Sequence, residues 1–300
     1  MILLLSVLEQ GMVYAIMALG VYITYKILDF PDLTVDGSFP MGAAITALLI
    51  SKDINPLICL PISFLLGAFA GTITGFIHVK FKVRDLLSGI IMMTALYTVN
   101  LRIAGRANLP IYQNTTIFDN DLVNNIFRGS ISPYKTVVLI FLITVIGKLL
   151  LDGYLKTKSG MLLRAVGDNE KLVTSLSVDK GTVKLAGLAI ANGLVALSGS
   201  IFAQQQRYFD ISMGTGTVVI GLASVIIGTT LFKKLTLLKV TTSVVIGSIL
   251  YKGCVAVAIS LGFESTDLKM ITAVLFLGIL ILGMERKRRA RTNARVTENI

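Results

Sequence analysis

Nine apolar stretches divide this chain, most of them close to the roughly 20 residues a helix needs to cross the hydrocarbon core of a bilayer. They cover residues 2–25, 38–50, 56–79, 86–101, 134–151, 185–202, 214–232, 240–261 and 270–284. Inside lipid each backbone N–H and C=O must be bonded within the protein, and a helix satisfies them all within one segment. The expected fold is therefore all-α: a polytopic membrane protein of about nine transmembrane helices, eight to ten, forming one domain over residues 1–300. Composition agrees. The chain is 54% hydrophobic and 15% charged, whereas soluble domains carry about a quarter charged residues. It opens MILLLSVLEQ, with no basic segment before the apolar run and no small-residue cleavage pattern after it. The first stretch is expected to stay in place as a membrane helix.

The formal net charge of +11 allows two readings, nucleic-acid binding or membrane orientation, and the position of the charges decides between them. If the basic tail 285–300 is placed in the cytoplasm and the stretches alternate, 20 Lys and Arg fall on the cytoplasmic side and 7 on the outer side. The remaining one, Lys252, lies midway along stretch 240–261 and is counted on neither side. The bias holds loop by loop, so orientation accounts for the charge and a nucleic-acid role is set aside. The N-terminus is expected outside and the C-terminus in the cytoplasm of a cell membrane.

The nine-stretch pattern contains an inversion. Stretches one to four and six to nine run in opposite directions, with the fifth between them. The second and seventh hold matching places, and both follow polar breaks that carry an acid and glycines, DLTVDGSFPMGAA and FDISMGTGTVVIG. Paired interrupted segments in inverted halves point to a pathway at mid-membrane. Ordinary loops would give short polar breaks too. Glycine usage reads first as helix packing, because small residues let helices approach closely in lipid. Gly67, Gly71 and Gly75 form one row, and Gly187, Ala191 and Val195 form another.

Catalytic or metal chemistry finds little support. Cys59 and Cys254 sit far apart in apolar stretches and read as small hydrophobes, not as a disulfide or a metal site. The one histidine, His78, ends an apolar stretch. No catalytic residue and no metal ligand is assigned.

Polar groups within the stretches are costly and are candidates for a solute pathway. They are Asp36, Tyr97, Asn100, Asn192, Ser198 and Lys252. Interhelical hydrogen bonding is the competing role for Asn100 and Asn192. For Lys252 the competing role is an ion pair with Asp36 or Glu9. Helix N-termini near Gly37 and Gly214 suit a carboxylate.

The long polar segment 152–184 is too long for a simple turn. Asp168 and Asn169 make good N-caps, Glu170 would sit in the first turn, and Leu172, Val173 and Leu176 cluster on one face. A short amphipathic helix over 170–177 is expected there, lying on the cytoplasmic surface. The stretch LLRAVGDNEKLVTSLSVD, followed by KLAGLAIANGLVALSGSIFAQQQ, resembles the coupling segment of bacterial ABC-importer permeases. The resemblance is to the branched-chain amino acid and ribose permease family, and to its tryptophan or tyrosine uptake branch. ALGVYITYKILDFPDLTVDGSFPMGAA, YTVNLRIAGRANLPIY and GTGTVVIGLASVIIGTTLF agree with that branch, so the resemblance covers most of the chain.

It implies a type II ABC importer: a pore formed by two permease copies (here a homodimer), a cytoplasmic ATP-binding subunit, and an extracytoplasmic solute-binding protein. Segment 152–184 would be the coupling segment, with Arg164, Ala165, Val166, Gly167, Asp168, Asn169 and Glu170 at the ATPase contact. Gly167 would let the chain turn sharply into the helix, and Arg164 would pair with an acid of the ATPase or with a lipid headgroup. The family usually has proline after the Asp-Asn pair and glycine further on. Here those places hold Glu170 and Ser177, both compatible with a helix. No GxxxxGK[ST] phosphate loop occurs in the chain, so no cofactor is expected on this chain and ATP would bind a separate subunit. The implied solute is small and polar, an amino acid (aromatic for preference) or else a simple sugar. An ion-coupled secondary transporter is the rival of another class.

Overall fold

The computed structural model describes residues 2–127, 133–169, 173–174, 179–233, 238–262, 267, 270–274, 276–278 and 281. Helix α1 (Ile2–Val21) runs on into a π-helical stretch, Tyr22–Ile27. After a non-helical connection come α2 (Val35–Ser51), α3 (Pro56–Phe81) and α4 (Asp85–Ala104). A short strand β1 (Asn108–Pro110) and helix α5 (Asp121–Ile126) precede α6 (Lys135–Tyr154) and α7 (Lys158–Asp168). The chain closes with α8 (Lys180–Gln206), strand β2 (Tyr208–Asp210), a 3₁₀ turn (Ile211–Gly214), α9 (Thr217–Leu231) and α10 (Val240–Ser260).

Local chemistry sets the ends. Asn55 caps α3 by accepting from the Leu57 N–H at 3.0 Å, with Pro56 at the first helical position. The Asp179 carboxylate caps α8 through the N–H groups of Gly181 and Thr182, so α8 starts five residues before the apolar stretch does.

Among the described residues seven helical segments are long and apolar enough to cross a membrane, and Val35–Ser51 is a shorter apolar helix. The expected count of about nine is slightly high. Stretch 38–50 is a short helix, not a full crossing, and stretch 270–284 is described only in part, at 270–274, 276–278 and 281.

Helix α8 is the axis of the bundle. At 27 residues it is about 40 Å long by helical rise. The glycine rows give it close neighbours, as expected. The α-carbons of Gly67, Gly71 and Gly75 on α3 face Ala196, Asn192, Leu188 and Leu185, and Gly42 of α2 meets the Ala196 backbone. A side chain at Gly42, Gly67 or Gly71 would collide with backbone or a packed side chain, and one at Gly75 would be tight against Leu185. Hydroxyls add polar ties. Thr46 meets Ser63 at 3.1 Å and Ser200 at 2.6 Å, and Thr34 meets Thr74 at 3.0 Å. Each such tie contributes about 0.6 kcal/mol inside a membrane bundle.

The bundle has two distinct ends. At one, β1 and β2 pair antiparallel, with Asn108 opposite Asp210 and Pro110 opposite Tyr208. The Arg207 guanidinium reaches the Asp119 carboxylate there and donates to the Tyr112 carbonyl. At the other end α7 packs on the π-helical end of α1 and on the start of α8, where Leu163 meets Gly187. Strands that follow α4 and α8 thus share one face, and the segments that follow α1 and α6 share the other, which agrees with strict alternation.

Two helices, α2 and α9, begin part-way along the bundle. Ser38 is level with Asn192, twelve residues into α8, so α2 starts about 18 Å from that helix's beginning. From there α2 runs to the ribbon end, where Asn114 donates to the Ile50 carbonyl. Helix α9 starts beside the start of α2, since Gly214 packs against the Asp36 carbonyl and the Pro40 ring. It runs the other way, until Gly228 meets Ser243 near the start of α10. The two acid-bearing breaks in the sequence are therefore two helix N-termini that meet at mid-depth.

Candidate functional site

Asp36 occupies the junction. It lies in the first turn of α2, yet its carboxylate serves α9. One oxygen accepts from the Val218 N–H at 2.8 Å and the Thr217 hydroxyl at 2.9 Å, and the other accepts from the Gly216 N–H at 3.0 Å. A single carboxylate thus neutralises the positive ends of two helices. Pro40 supports the arrangement: it has no N–H to give the Asp36 carbonyl, and Gly214 is small enough to pack there.

Beside the junction lies a cavity of about 400 Å³, lined among others by Asp36, Pro40, Tyr97, Asn100, Ile211 and Thr215. Asn100 is fully buried. Its amide nitrogen donates to the Gly37 carbonyl at 3.0 Å, which fixes the orientation of the group, and its carbonyl oxygen accepts no hydrogen bond among the described residues. Tyr97 is 53% exposed on the outer surface of α4, beside exposed Thr94 and Thr98. Of the six pathway candidates the fold brings Asp36, Tyr97 and Asn100 to one cavity.

The other three lie elsewhere. Asn192 accepts from the Ser38 hydroxyl at 2.7 Å and donates to the Asp32 carboxylate at 2.7 Å and to the Leu188 carbonyl at 3.1 Å. The Ser198 hydroxyl donates to the Val13 carbonyl at 2.7 Å and ties α8 to α1. The Lys252 ammonium sits 3.9 Å from the centre of the Tyr14 ring and 3.5 Å from the Gln10 amide oxygen. The expected ion pair of Lys252 with Asp36 or Glu9 does not form: Asp36 is held by α9, and Glu9 accepts from Gln205 at 3.0 Å. The face of Tyr14 takes the place of a carboxylate.

Asp32 was not picked out from sequence, although it is 5% exposed. It shares the DFPDLTVDGS break with Asp29 and Asp36, and nothing local separates the three. Asp29 is exposed, and the partner that buries Asp32 is 160 residues away.

At the ribbon end a second cavity of about 380 Å³ is lined by Asn108, Tyr112, Tyr208, Asp210, Ser212 and Met213. Burial opposes ionisation of Asp210, but hydrogen bonds from Ser212 and Asn108 hold its carboxyl below the usual range. Asp119 is likewise held low, by hydrogen bonds from Asn124 and Arg207.

The coupling residues lie on α7. Thr157 caps it, accepting from the Gly160 N–H at 3.3 Å. Gly160, Leu163 and Val166 are buried against the bundle, and Arg164 and Asp168 are exposed. Ala165 is half-buried beside them. Helix α7 itself was not expected from the sequence; Asp168 is its last residue and Asn169 follows in extended conformation. One expectation is corrected here. Gly167 makes no sharp turn. It is helical, and it packs against the Ile27 carbonyl, which a Cβ would overlap. Glu170 and most of the helix expected over 170–177 lie outside the described residues.

Close to α7, the Asp152 carboxylate at the end of α6 accepts from Lys148 at 3.0 Å, Lys239 at 3.1 Å and the Thr241 hydroxyl at 2.6 Å. It fastens α6 to the start of α10.

The family described as the branched-chain amino acid transport system permease component matches residues 3–284. The chain belongs to this family. Among its relatives, the tyrosine transport system permease protein of Clostridioides difficile is 46% identical over 297 residues, covering 99% of this chain and 97% of that one. The ribose import permease protein of Escherichia coli K12 is 25% identical over 228 residues, covering 76% and 69%. A solved structure of a metal-chelate type ABC transporter in an inward-facing conformation shares the fold with a TM-score of 0.52 at 14% identity, over 93% of this chain and 84% of that one. As an ABC permease the chain is a multi-pass membrane subunit and not an enzyme. ATP hydrolysis falls to a separate ATP-binding subunit, and the family also implies a solute-binding protein.

Proposed function

We propose that this chain is the membrane subunit of an ATP-driven importer of an amino acid with an aromatic side chain, working as two copies around one pore. The observation that carries the solute is the 46% identity, over nearly the whole length, to a protein named for tyrosine transport. The ribose permease at 25% identity supports a simple sugar as the second reading.

The geometry supplies a working scheme. Tyr97, Thr94 and Thr98 place polar groups on an outward face of α4 at membrane depth. Polar groups there suit a wet pore between two copies better than lipid. The solute crosses along this face, past the junction of α2 and α9. The ribbon end faces outward and receives the solute-binding protein. The α7 end faces the cytoplasm, with the N-terminus outside and the C-terminus inside, in line with the charge bias. Helix α7 presents Arg164 and Asp168 to the ATP-binding subunit while Leu163 and Val166 hold it to the bundle. ATP binds the partner, and no cofactor resides on this chain.

Arg164→Glu tests the coupling contact. The expected result is an unchanged amount of protein in the membrane with loss of solute-stimulated ATP hydrolysis in the assembled complex. Stimulation equal to wild type in that variant would remove α7 from the contact.

A further inference from the structure

The carboxylate of Asp32 has no use in the scheme above, and its position calls for one. It is 5% exposed and lies in the connection between the π-helical end of α1 and α2. Its partners are the Thr34 N–H at 2.9 Å and the Asn192 carboxamide at 2.7 Å. It forms no ion pair among the described residues. A buried carboxylate held only by neutral donors is costly, and a neutral side chain would serve packing better.

What Asp32 joins is informative. Gly167 on α7 packs against the Ile27 carbonyl, where this connection begins. Asn192 on α8 donates to Asp32 within the connection, and its amide oxygen accepts from Ser38 just past the start of α2. Helix α7 carries the coupling residues, and α8 begins at the end of the coupling segment. The far end of the connection is Asp36, which holds the N-terminus of α9 at the cavity. The connection is thus held by α7, within the coupling segment, and by α8, which follows it, and it leads directly to the junction. Its residues Leu28–Thr34 are not helical, so it bends more readily than the helices it joins.

We infer that the Asp32–Asn192 pair is the joint through which movement of the coupling segment reaches the α2–α9 junction. Asp32 is a positioning residue for transport: it holds the connection to α8, so that a shift of α7 moves the starts of α2 and α9 together. This rests on the importer reading.

The pair invites an exchange test in the complete complex with its ATP-binding subunit and solute-binding protein. Asp32→Asn sets an amide N–H against the Asn192 N–H groups. Asn192→Asp sets two carboxylates against each other. The double exchange restores one carboxylate, one carboxamide and the acceptor for Ser38. Each single variant is expected to lower the ratio of solute-stimulated to basal ATP hydrolysis at least about fivefold, the lower end of ordinary coupling between sites. The double exchange should recover most of it. Wild-type ratios in the single variants would overturn the inference, and so would a double variant as uncoupled as the singles. If the pair variants do not assemble, Ser38→Ala decides: a lowered ratio supports the joint and an unchanged ratio overturns it. A wild-type complex that shows no solute stimulation at all marks failure of the importer reading itself, and is distinguished from the variants in the same assay.

Discussion

Gly167→Val is expected to abolish ATP-driven uptake while leaving the bundle in the membrane. The Gly167 backbone touches the Ile27 carbonyl so closely that even one added carbon overlaps it. Carbonyl and helix backbone cannot yield as a side-chain tip can, so α7 must lift away from the connection. Overpacking of this kind costs about 1–3 kcal/mol, roughly a fivefold to 150-fold change in the docked population of α7. Leu163 and Val166 lose part of their burial in the same movement. Gly167→Ala should show the same defect in weaker form. Uptake per assembled complex is the measurement, with thermal unfolding alongside. Wild-type uptake by the valine variant would show that α7 does not act through Ile27.

The second large effect is expected at Asp36. Asp36→Ala removes three hydrogen bonds and the one charge that faces two helix N-termini. Loss of an N-cap alone costs about 1–2 kcal/mol, and the second helix end adds to it. The purified protein should unfold at a lower temperature, and uptake should fall with the displacement of α9 from the cavity. Asp36→Asn separates the parts. Its amide oxygen still accepts from Val218 and Thr217, but its amide nitrogen now faces the Gly216 N–H. Asparagine should therefore lie between wild type and alanine in both stability and uptake. Equal behaviour of the two variants would mean that the cap is not what Asp36 contributes.

Much of the fold was legible in the sequence because membrane helices obey one strict condition. An apolar run long enough to cross must satisfy its own backbone, and stretches such as 56–79 and 240–261 announce this locally. The glycine row Gly67, Gly71 and Gly75 likewise declared a contact face, though not that Asn192 and Leu188 would fill it. What was not legible depends on distance in the chain. Asp36 read as a pathway acid because its partners, Gly216 to Val218, lie 180 residues on. Lys252 read as a pathway group or half of an ion pair, and its place over the face of Tyr14 was not foreseen because hydropathy counts that ring as apolar. Asp32 was passed over since burial, and not residue type, sets it apart from Asp29. Helix α7 was missed because TKSG reads as a loop until Thr157 is seen capping it. The pairing of the two breaks was readable as a pattern, but their meeting at mid-depth follows only from where α2 and α9 begin against α8.

Reconstitution tests the importer reading most directly. The chain is placed in liposomes with its ATP-binding subunit, the solute-binding protein is added outside, and uptake of labelled tyrosine is followed with ATP inside. The expected result is uptake that needs both ATP and the binding protein and that stops when the ATP-binding subunit is left out. Uptake by this chain alone, driven by an ion gradient without ATP, would contradict the account and make it a secondary transporter.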